Sequence, residues 1–322
     1  MREVSVEIER FPIAGSFTIS RGSRTEAVVV TVRIREGRFE GLGECVPYAR
    51  YGESVESVVA QVEGIGEKLR AGAGREELLT LLPAGAARNA IDCALWDLEA
   101  RQRGVSVTAL AGRASLKPVV TCYTLSLGTP ETMREAAAKA AHRPLLKVKL
   151  GGDGDPERIA AVREGAPASR LVVDANEAWR PHNLADNFAA CTAAGVELVE
   201  QPLPAGDDAA LADVRSGIAI CADESIHDFA SLAHLPLWYT AINIKLDKTG
   251  GLTDALKLLD AAKARGLKIM VGCMLGTSLA MRPAVILAQE ADVIDLDGPL
   301  LLAKDRENPL RYEGSLLIPD EA

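Results

Sequence analysis

The chain lacks the features that would send it to a membrane, to a nucleic acid or to an oxidising compartment. No apolar run approaches the ~18 residues that a membrane span requires. The start, Met1-Arg2-Glu3-Val4-Ser5-Val6-Glu7, alternates like a strand and has no apolar core of a signal peptide. There is no C-x-x-C pair among the six cysteines, Cys45, Cys93, Cys122, Cys191, Cys221 and Cys273. Scattered cysteines in a chain this long predict reduced, buried thiols and a cytoplasmic location. There is no basic excess either: the formal net charge is −9, which argues against nucleic acid as the main partner. No G-x-G-x-x-G follows any strand-like run, which weakens a dinucleotide-binding reading. The four histidines, His142, His182, His227 and His234, have no metal-ligand spacing.

What is present is an ordinary globular composition, 48% hydrophobic and 25% charged over 322 residues. That length suits one barrel with a smaller partner domain. Residues 1 to about 60 alternate apolar and polar, with Val28-Val29-Val30-Thr31-Val32-Arg33-Ile34 as the clearest strand. Helical patterns follow at roughly 53–71 and 84–103, the second carrying Ala87, Ile91, Ala94, Leu95 and Leu98. Residues 1–115 therefore read as a small α+β unit, with Trp96 in its core.

The texture changes after about residue 116. Strand-like runs near 119–125, 144–150, 170–174, 196–200, 217–222, 240–246, 267–273 and 292–296 alternate with helical stretches such as 155–166, 182–194 and 252–265. Eight runs with helical crossovers predict an α/β fold, a parallel sheet closed into a TIM-type barrel over 116–310. A doubly wound open sheet is the alternative.

Five charges stand at the ends of these runs: Lys149, Asp174, Glu200, Asp223 and Lys245. A charge just past a buried strand is costly without a partner. In a barrel all five would share the C-terminal face, where the chemistry of such folds sits. Asp174, Glu200 and Asp223 come from consecutive strands about 4.8 Å apart, so they can meet on one hard, oxygen-liganded cation. Mg²⁺ fits best. The plainer reading of each carboxylate alone is a helix cap.

Lys147 and Lys149 are two apart and face one side of a strand. Adjacent ammonium groups beside a cation depress each other's pKa, which makes such a lysine a usable base. Lys245 lies on the sixth run, across the mouth from the second. One amine can take a carbon-bound proton while the other returns one to the opposite face, inverting a stereocentre. Lys248, beyond the apolar run, reads as solvated. Asp295 and Asp297 share a face at the end of the eighth run and suit an ammonium group; a turn before Gly298-Pro299 is the plainer reading. Arg21 and Arg24, in the loop Ser20-Arg21-Gly22-Ser23-Arg24, suit a carboxylate.

This constellation resembles the enolase superfamily, in particular its muconate-lactonizing subgroup and the dipeptide epimerases within it. The resemblance rests on Lys147-Val148-Lys149, Asp174-Ala175-Asn176, Glu200-Gln201-Pro202, Asp223-Glu224-Ser225, Asn243-Ile244-Lys245 with Gly250-Gly251, and the helix Ala90–Leu98. It implies a modified (β/α)₇β barrel, an N-terminal capping domain, and a C-terminal segment, 311–322, that returns to the cap. It implies Mg²⁺ on Asp174, Glu200 and Asp223, an acid/base pair of Lys149 and Lys245 with Lys147 as the electrostatic neighbour, and specificity loops near 16–26 and 46–54. Asp295 and Asp297 resemble the pair that takes a dipeptide's ammonium, and Arg21 and Arg24 imply an acidic side chain. L-Ala-D/L-Glu, a cell-wall peptide fragment, is then the leading substrate. The subgroup also holds N-succinylamino acid racemases, o-succinylbenzoate synthases and muconate cycloisomerases, which stay as alternatives. A silent metal-binding scaffold is the remaining one. The expected partner is a small dipeptide, with homo-oligomerisation left open.

Overall fold

The first three strands are long because residues 2–45 are rich in β-branched and alternating apolar side chains. A computed structural model describes residues 2–320, so Met1 of the expected first strand lies outside it. Strands β1 (Arg2–Ile19), β2 (Gly22–Glu36) and β3 (Phe39–Cys45) form an antiparallel sheet in the order β1-β2-β3. Val30, Val32 and Ile34 of β2 are buried on one face. The helix Ala86–Arg103 covers that face with Ala87, Ala90, Ile91, Ala94, Leu95 and Leu98. Trp96 is also buried and donates to Thr253 Oγ1 at 2.9 Å. The helix lies so close to β3 that a Cβ at Gly43 would stand 2.0 Å from the Ala90 carbonyl oxygen.

The barrel strands are β5 (Tyr123–Leu125), β6 (Leu145–Lys149), β7 (Arg170–Asp174), β8 (Val196–Glu200), β9 (Ala219–Ala222), β10 (Ala241–Ile244), β11 (Lys268–Gly272) and β12 (Val293–Asp295). They pair in parallel in sequence order. The ring is closed between its ends by Cys122 N donating to Ile294 O at 2.7 Å and Leu296 N to Thr121 Oγ1 at 2.8 Å. This is the barrel expected, and the doubly wound alternative falls. Successive side chains point to opposite sides. Leu146, Val148, Val173, Val199, Ile242 and Val271 face the outer helices. Cys122, Leu145, Val172, Leu198, Cys221, Ala241, Met270 and Val293 fill the barrel floor.

Three details differ from the sequence expectation. The run 119–125 is two strands, because β4 (Val119–Val120) belongs to a separate sheet with β13 (Arg311–Glu313) and β14 (Leu316–Ile318), in the order β13-β14-β4. Two crossovers carry only 3₁₀ turns, Ala209–Asp213 and Ser231–His234; prolines at 202, 204 and 236 break up these segments. The expected return of 311–322 to the cap is made by residues just before it. Ala303 N donates to Pro12 O at 2.8 Å, and Arg306 reaches Glu9 and Glu44. Strands β13 (Arg311–Glu313) and β14 (Leu316–Ile318) instead meet Val119–Val120. Residues 321 and 322 lie outside the described part. No helix among the described residues is long and apolar enough to cross a membrane.

Candidate active site

Moving two residues up each strand from the floor gives the site, since period two keeps a side chain on the inner face. Above Leu145 stands Lys147, above Val172 Asp174, above Leu198 Glu200, above Cys221 Asp223, above Ala241 Asn243 and above Val293 Asp295. A second step reaches Lys149, Lys245 and Asp297. All nine are buried. In the strand register Lys149 pairs with Asp174, and Asp174 with Glu200.

The charges satisfy one another. Lys149 Nζ donates to Asp174 Oδ2 at 2.6 Å, and Lys245 Nζ to Asp223 Oδ2 at 2.6 Å. Lys147 Nζ stands 2.6 Å from Glu200 Oε2, 2.6 Å from Asp295 Oδ2 and 3.3 Å from Asp174 Oδ2. The expectation that Lys147 would be depressed is reversed here. Burial pulls its pKa down, but Asp295, Glu200 and Asp174 outweigh burial and hold it well above the usual lysine range. Lys245 is likewise raised: burial opposes the charge, and Asp223 and Glu200 overcome it. Asp223 is held well below the carboxylate range because Lys245 and Lys248 outweigh its burial.

Strands β6 and β10 are four places apart in an eight-stranded ring, so Lys149 and Lys245 approach the mouth from opposite sides. Among the described residues no three His, Cys, Asp or Glu side chains converge as a closed ligand set; each carboxylate is turned to a lysine. The donor set nevertheless fits a hard cation. Glu200 Oε2, Asp295 Oδ1, Glu224 Oε2, Asn176 Oδ1 and Asn243 Oδ1 are buried oxygens that accept no hydrogen bond. Glu200 Oε2 has its ion pair with Lys147 but no hydrogen bond of good geometry. Buried acceptors without donors are what a divalent ion with oxygen ligands would satisfy.

Asp295 and Asp297 do share a wall of the mouth. Thr124 N donates to Asp297 Oδ2 at 2.6 Å. Burial and the neighbouring Asp295 push the Asp297 carboxyl up to about 7. The two arginines separate. Arg21 is engaged: Nη2 donates to Glu224 Oε1 at 2.8 Å and to Tyr48 Oη at 2.8 Å, and Nη1 to Glu177 Oε2 at 3.2 Å. Arg24 is exposed, with its guanidinium 5.9 Å from the Tyr48 ring centre.

Lys248 is a correction. It is not solvated but 1% exposed, donating to Asp223 Oδ1 and Asp223 O at 2.6 Å and to Asn243 O at 2.9 Å. Strand β10 gives way to the helical turn Leu246–Thr249, and three residues on from Lys245 in a helix is the same side. Sequence reading also gave no role to Asn243, which donates to Glu200 Oε1 at 2.8 Å, or to Gln201, whose Oε1 accepts from Asp223 N at 2.9 Å and Ser225 N at 3.1 Å. The signal for Asn243 was available, since it precedes Lys245 by two. A cavity of about 930 Å³ between cap and barrel flank, lined by Trp96, Arg282 and Asp305, contains none of these residues.

Comparison with known proteins places the chain in a family. Residues 1–112 match the model of the mandelate racemase/muconate lactonizing enzyme N-terminal domain, and residues 131–321 that of the enolase C-terminal domain-like family. An L-Ala-D/L-Glu epimerase of Escherichia coli is 48% identical, covering 97% of this chain and 98% of that protein. An N-acetyl-D-glutamate racemase of a Pseudoalteromonas species is 44% identical over 90% of this chain and 93% of its own length. A crystal structure of an enolase family member from Agrobacterium tumefaciens, with homology to dipeptide epimerases, holds sodium and L-Ala-L-Glu with an ordered loop. It superposes with a TM-score of 0.97 at 53% identity, covering 99% of this chain and 98% of the other.

Proposed function

Because the chain belongs to the mandelate racemase/muconate lactonizing enzyme family of the enolase superfamily, we propose that it is a Mg²⁺-dependent dipeptide epimerase acting on L-Ala-D/L-Glu. The observation that carries this reading is the pair of buried lysines on opposite sides of three carboxylates, with Asp295 and Asp297 beside them. Enolase-superfamily sites join a Lys or His base to one or two Mg²⁺ ions. Residues 1–115 act as the cap that selects substrate, and 116–310 as the barrel that carries the chemistry.

Asp174, Glu200 and Asp223 would hold the Mg²⁺. When bound, that ion supplies positive charge that stabilises the negative charge building on the substrate carboxylate. The rest is done by the chain. Lys149, as free amine, takes the proton from the α-carbon of the C-terminal residue; the C–H electron pair moves towards the carboxylate. Lys245, as ammonium, gives a proton to the opposite face of the same carbon, and the C–H bond re-forms inverted. The reverse direction exchanges the two roles. Lys147, ringed by Asp295, Glu200 and Asp174, keeps its charge and neutralises them. Lys248 fixes Asp223 from behind. Asp295 and Asp297 take the dipeptide ammonium. Arg24 is better placed than Arg21 for the acidic side chain, because Arg21 is held by Glu224 and Glu177.

The N-acylglutamate racemase reading has one observation in its favour, the 44% identical relative. An N-acyl substrate brings no cation to Asp295 and Asp297, and leaves Asp295 Oδ1 without a donor. Incubation with Mg²⁺ in D₂O separates the two readings. Mass spectrometry should find α-deuterium in the C-terminal residue of L-Ala-L-Glu. Turnover of N-acetylglutamate with no exchange into any dipeptide would sink the epimerase reading. Such a substrate, a cell-wall peptide fragment, suits a cytoplasmic enzyme, and the six cysteines without disulfides support that location.

A further inference from the structure

One half-buried carboxylate at the barrel rim has no part in this chemistry, yet both cap loops end on it. Glu177 follows Asp174-Ala175-Asn176, just beyond β7. Its Oε1 accepts from Arg50 Nη2 at 2.7 Å and Ala205 N at 2.9 Å. Its Oε2 accepts from Arg50 Nε at 2.7 Å and Arg21 Nη1 at 3.2 Å. Arg21 comes from the turn between β1 and β2, and Arg50 from the 3₁₀ turn Ala49–Tyr51. The side chain of Glu177 is 10% exposed despite its place at the rim.

The backbone is spent on this orientation. Asn176 has φ 46° and Glu177 φ 66°, the left-handed region that side chains with a Cβ adopt at a cost. Such strain persists only where the surroundings over-determine it. Glu177 N donates to Gln201 O at 2.9 Å, which anchors the turn to the neighbouring strand. The Asn176 carbonyl accepts from Ser20 Oγ at 3.1 Å and Arg21 Nη1 at 3.1 Å. Arg21 also reaches Tyr48 Oη, which joins the two loops to each other.

We propose that Glu177 is a specificity-positioning residue: it clips Arg21 and Arg50 to the barrel, holds both cap loops over the mouth, and so sets Arg24 and Tyr48 against an acidic substrate side chain. The substrate half rests on the dipeptide reading; the clip itself does not. A fork-to-fork pair on a saturated carboxylate gives both strength and direction. Isolated surface ion pairs, by contrast, contribute little.

The test uses the full chain as wild type, Glu177→Gln and Arg50→Gln. Hydrogen–deuterium exchange without substrate is followed in residues 18–24 and 46–54. Steady-state rates are measured with Mg²⁺ on L-Ala-L-Glu and on L-Ala-L-Leu. Both variants should speed exchange in both segments by about tenfold and raise KM for L-Ala-L-Glu by about tenfold, with kcat within about threefold. KM for L-Ala-L-Leu should move less. Arg50→Gln alters a half-exposed side chain and keeps the test open should Glu177→Gln fold poorly. Unchanged exchange and KM in Arg50→Gln would overturn the proposal. So would a hundredfold fall in kcat at constant KM, which would place Glu177 in the chemistry. If the wild type turns over no dipeptide, the substrate reading fails and the exchange data alone decide the clip.

Discussion

At the scale of single residues, environment decides what each charge can do. Lys147, Lys149, Lys245 and Lys248 share a residue type and a low exposure, yet their partners differ: three carboxylates, one carboxylate, a carboxylate just past the neighbouring strand with a second at 3.7 Å, and a carboxylate with two backbone carbonyls. Asp297 gives this a measurable form. With its carboxyl at about 7, it carries full charge only above that pH, while a dipeptide ammonium of pKa about 8 keeps its charge only below. Raising the pH through 7 should therefore improve the proposed ammonium site, and raising it past about 8 should discharge the substrate. A plot of kcat/KM against pH should be bell-shaped between these limits. Asp297→Asn should lose the acidic limb near 7, raise KM, and leave Mg²⁺ affinity little changed. An acidic limb that stays in place in the variant would show that another group sets it. Sequence spacing identified the five core charges because each ends an apolar run. It misread Lys248 because the run ends at Ile244, where the period changes from two to that of a helix.

At the scale of elements, the cap depends on one close approach. Gly41 and Gly43 of β3 lie under the helix Ala86–Arg103, where a Cβ would stand 2.1 Å from Ala94 O and 2.0 Å from Ala90 O. Backbone atoms cannot yield as a flexible side chain can. Gly43→Ala should therefore destabilise the protein by about 3 kcal/mol or more. A urea melt showing less than about 1 kcal/mol would mean that the helix can slide without loss. The helix itself was legible from its apolar spacing; its contact distance was not, since a glycine in a strand reads equally as a bulge or a weak strand. The barrel strands were legible for the opposite reason. Each is a short apolar run that is buried on both faces, and the helical stretches between them force parallel pairing.

At the scale of the whole molecule, cap and barrel are joined through Arg306. It donates to Glu9 Oε1 at 3.0 Å from β1, to Glu44 Oε2 at 2.9 Å from β3, and to Thr277 Oγ1 at 2.7 Å beyond β11. Glu44 is 1% exposed, and burial raises its carboxyl even with Arg306 beside it. Arg306→Leu would leave that carboxylate without its cation, at a cost of about 3 kcal/mol. The sign with pH follows from the raised carboxyl. A group whose folded pKa lies above its unfolded value contributes stability below the unfolded value and loses it as pH rises. The deficit of Arg306→Leu should thus be larger at pH 8 than at pH 5. Glu44→Gln in the same background should recover much of it. A deficit independent of pH, measured by urea melts, would mean that Arg306 acts through packing alone.

By itself the sequence determined the chemistry: which strands end in lysine and which in carboxylate is a property of local order, and parallel strands with helical crossovers carry those ends to one face. Only the tertiary structure decided which charges neutralise one another, that Arg21 is engaged while Arg24 is not, and that Glu177 gathers both cap loops. Those contacts join residues more than a hundred positions apart, and no local pattern encodes a distance set by how segments so far apart in the chain pack together.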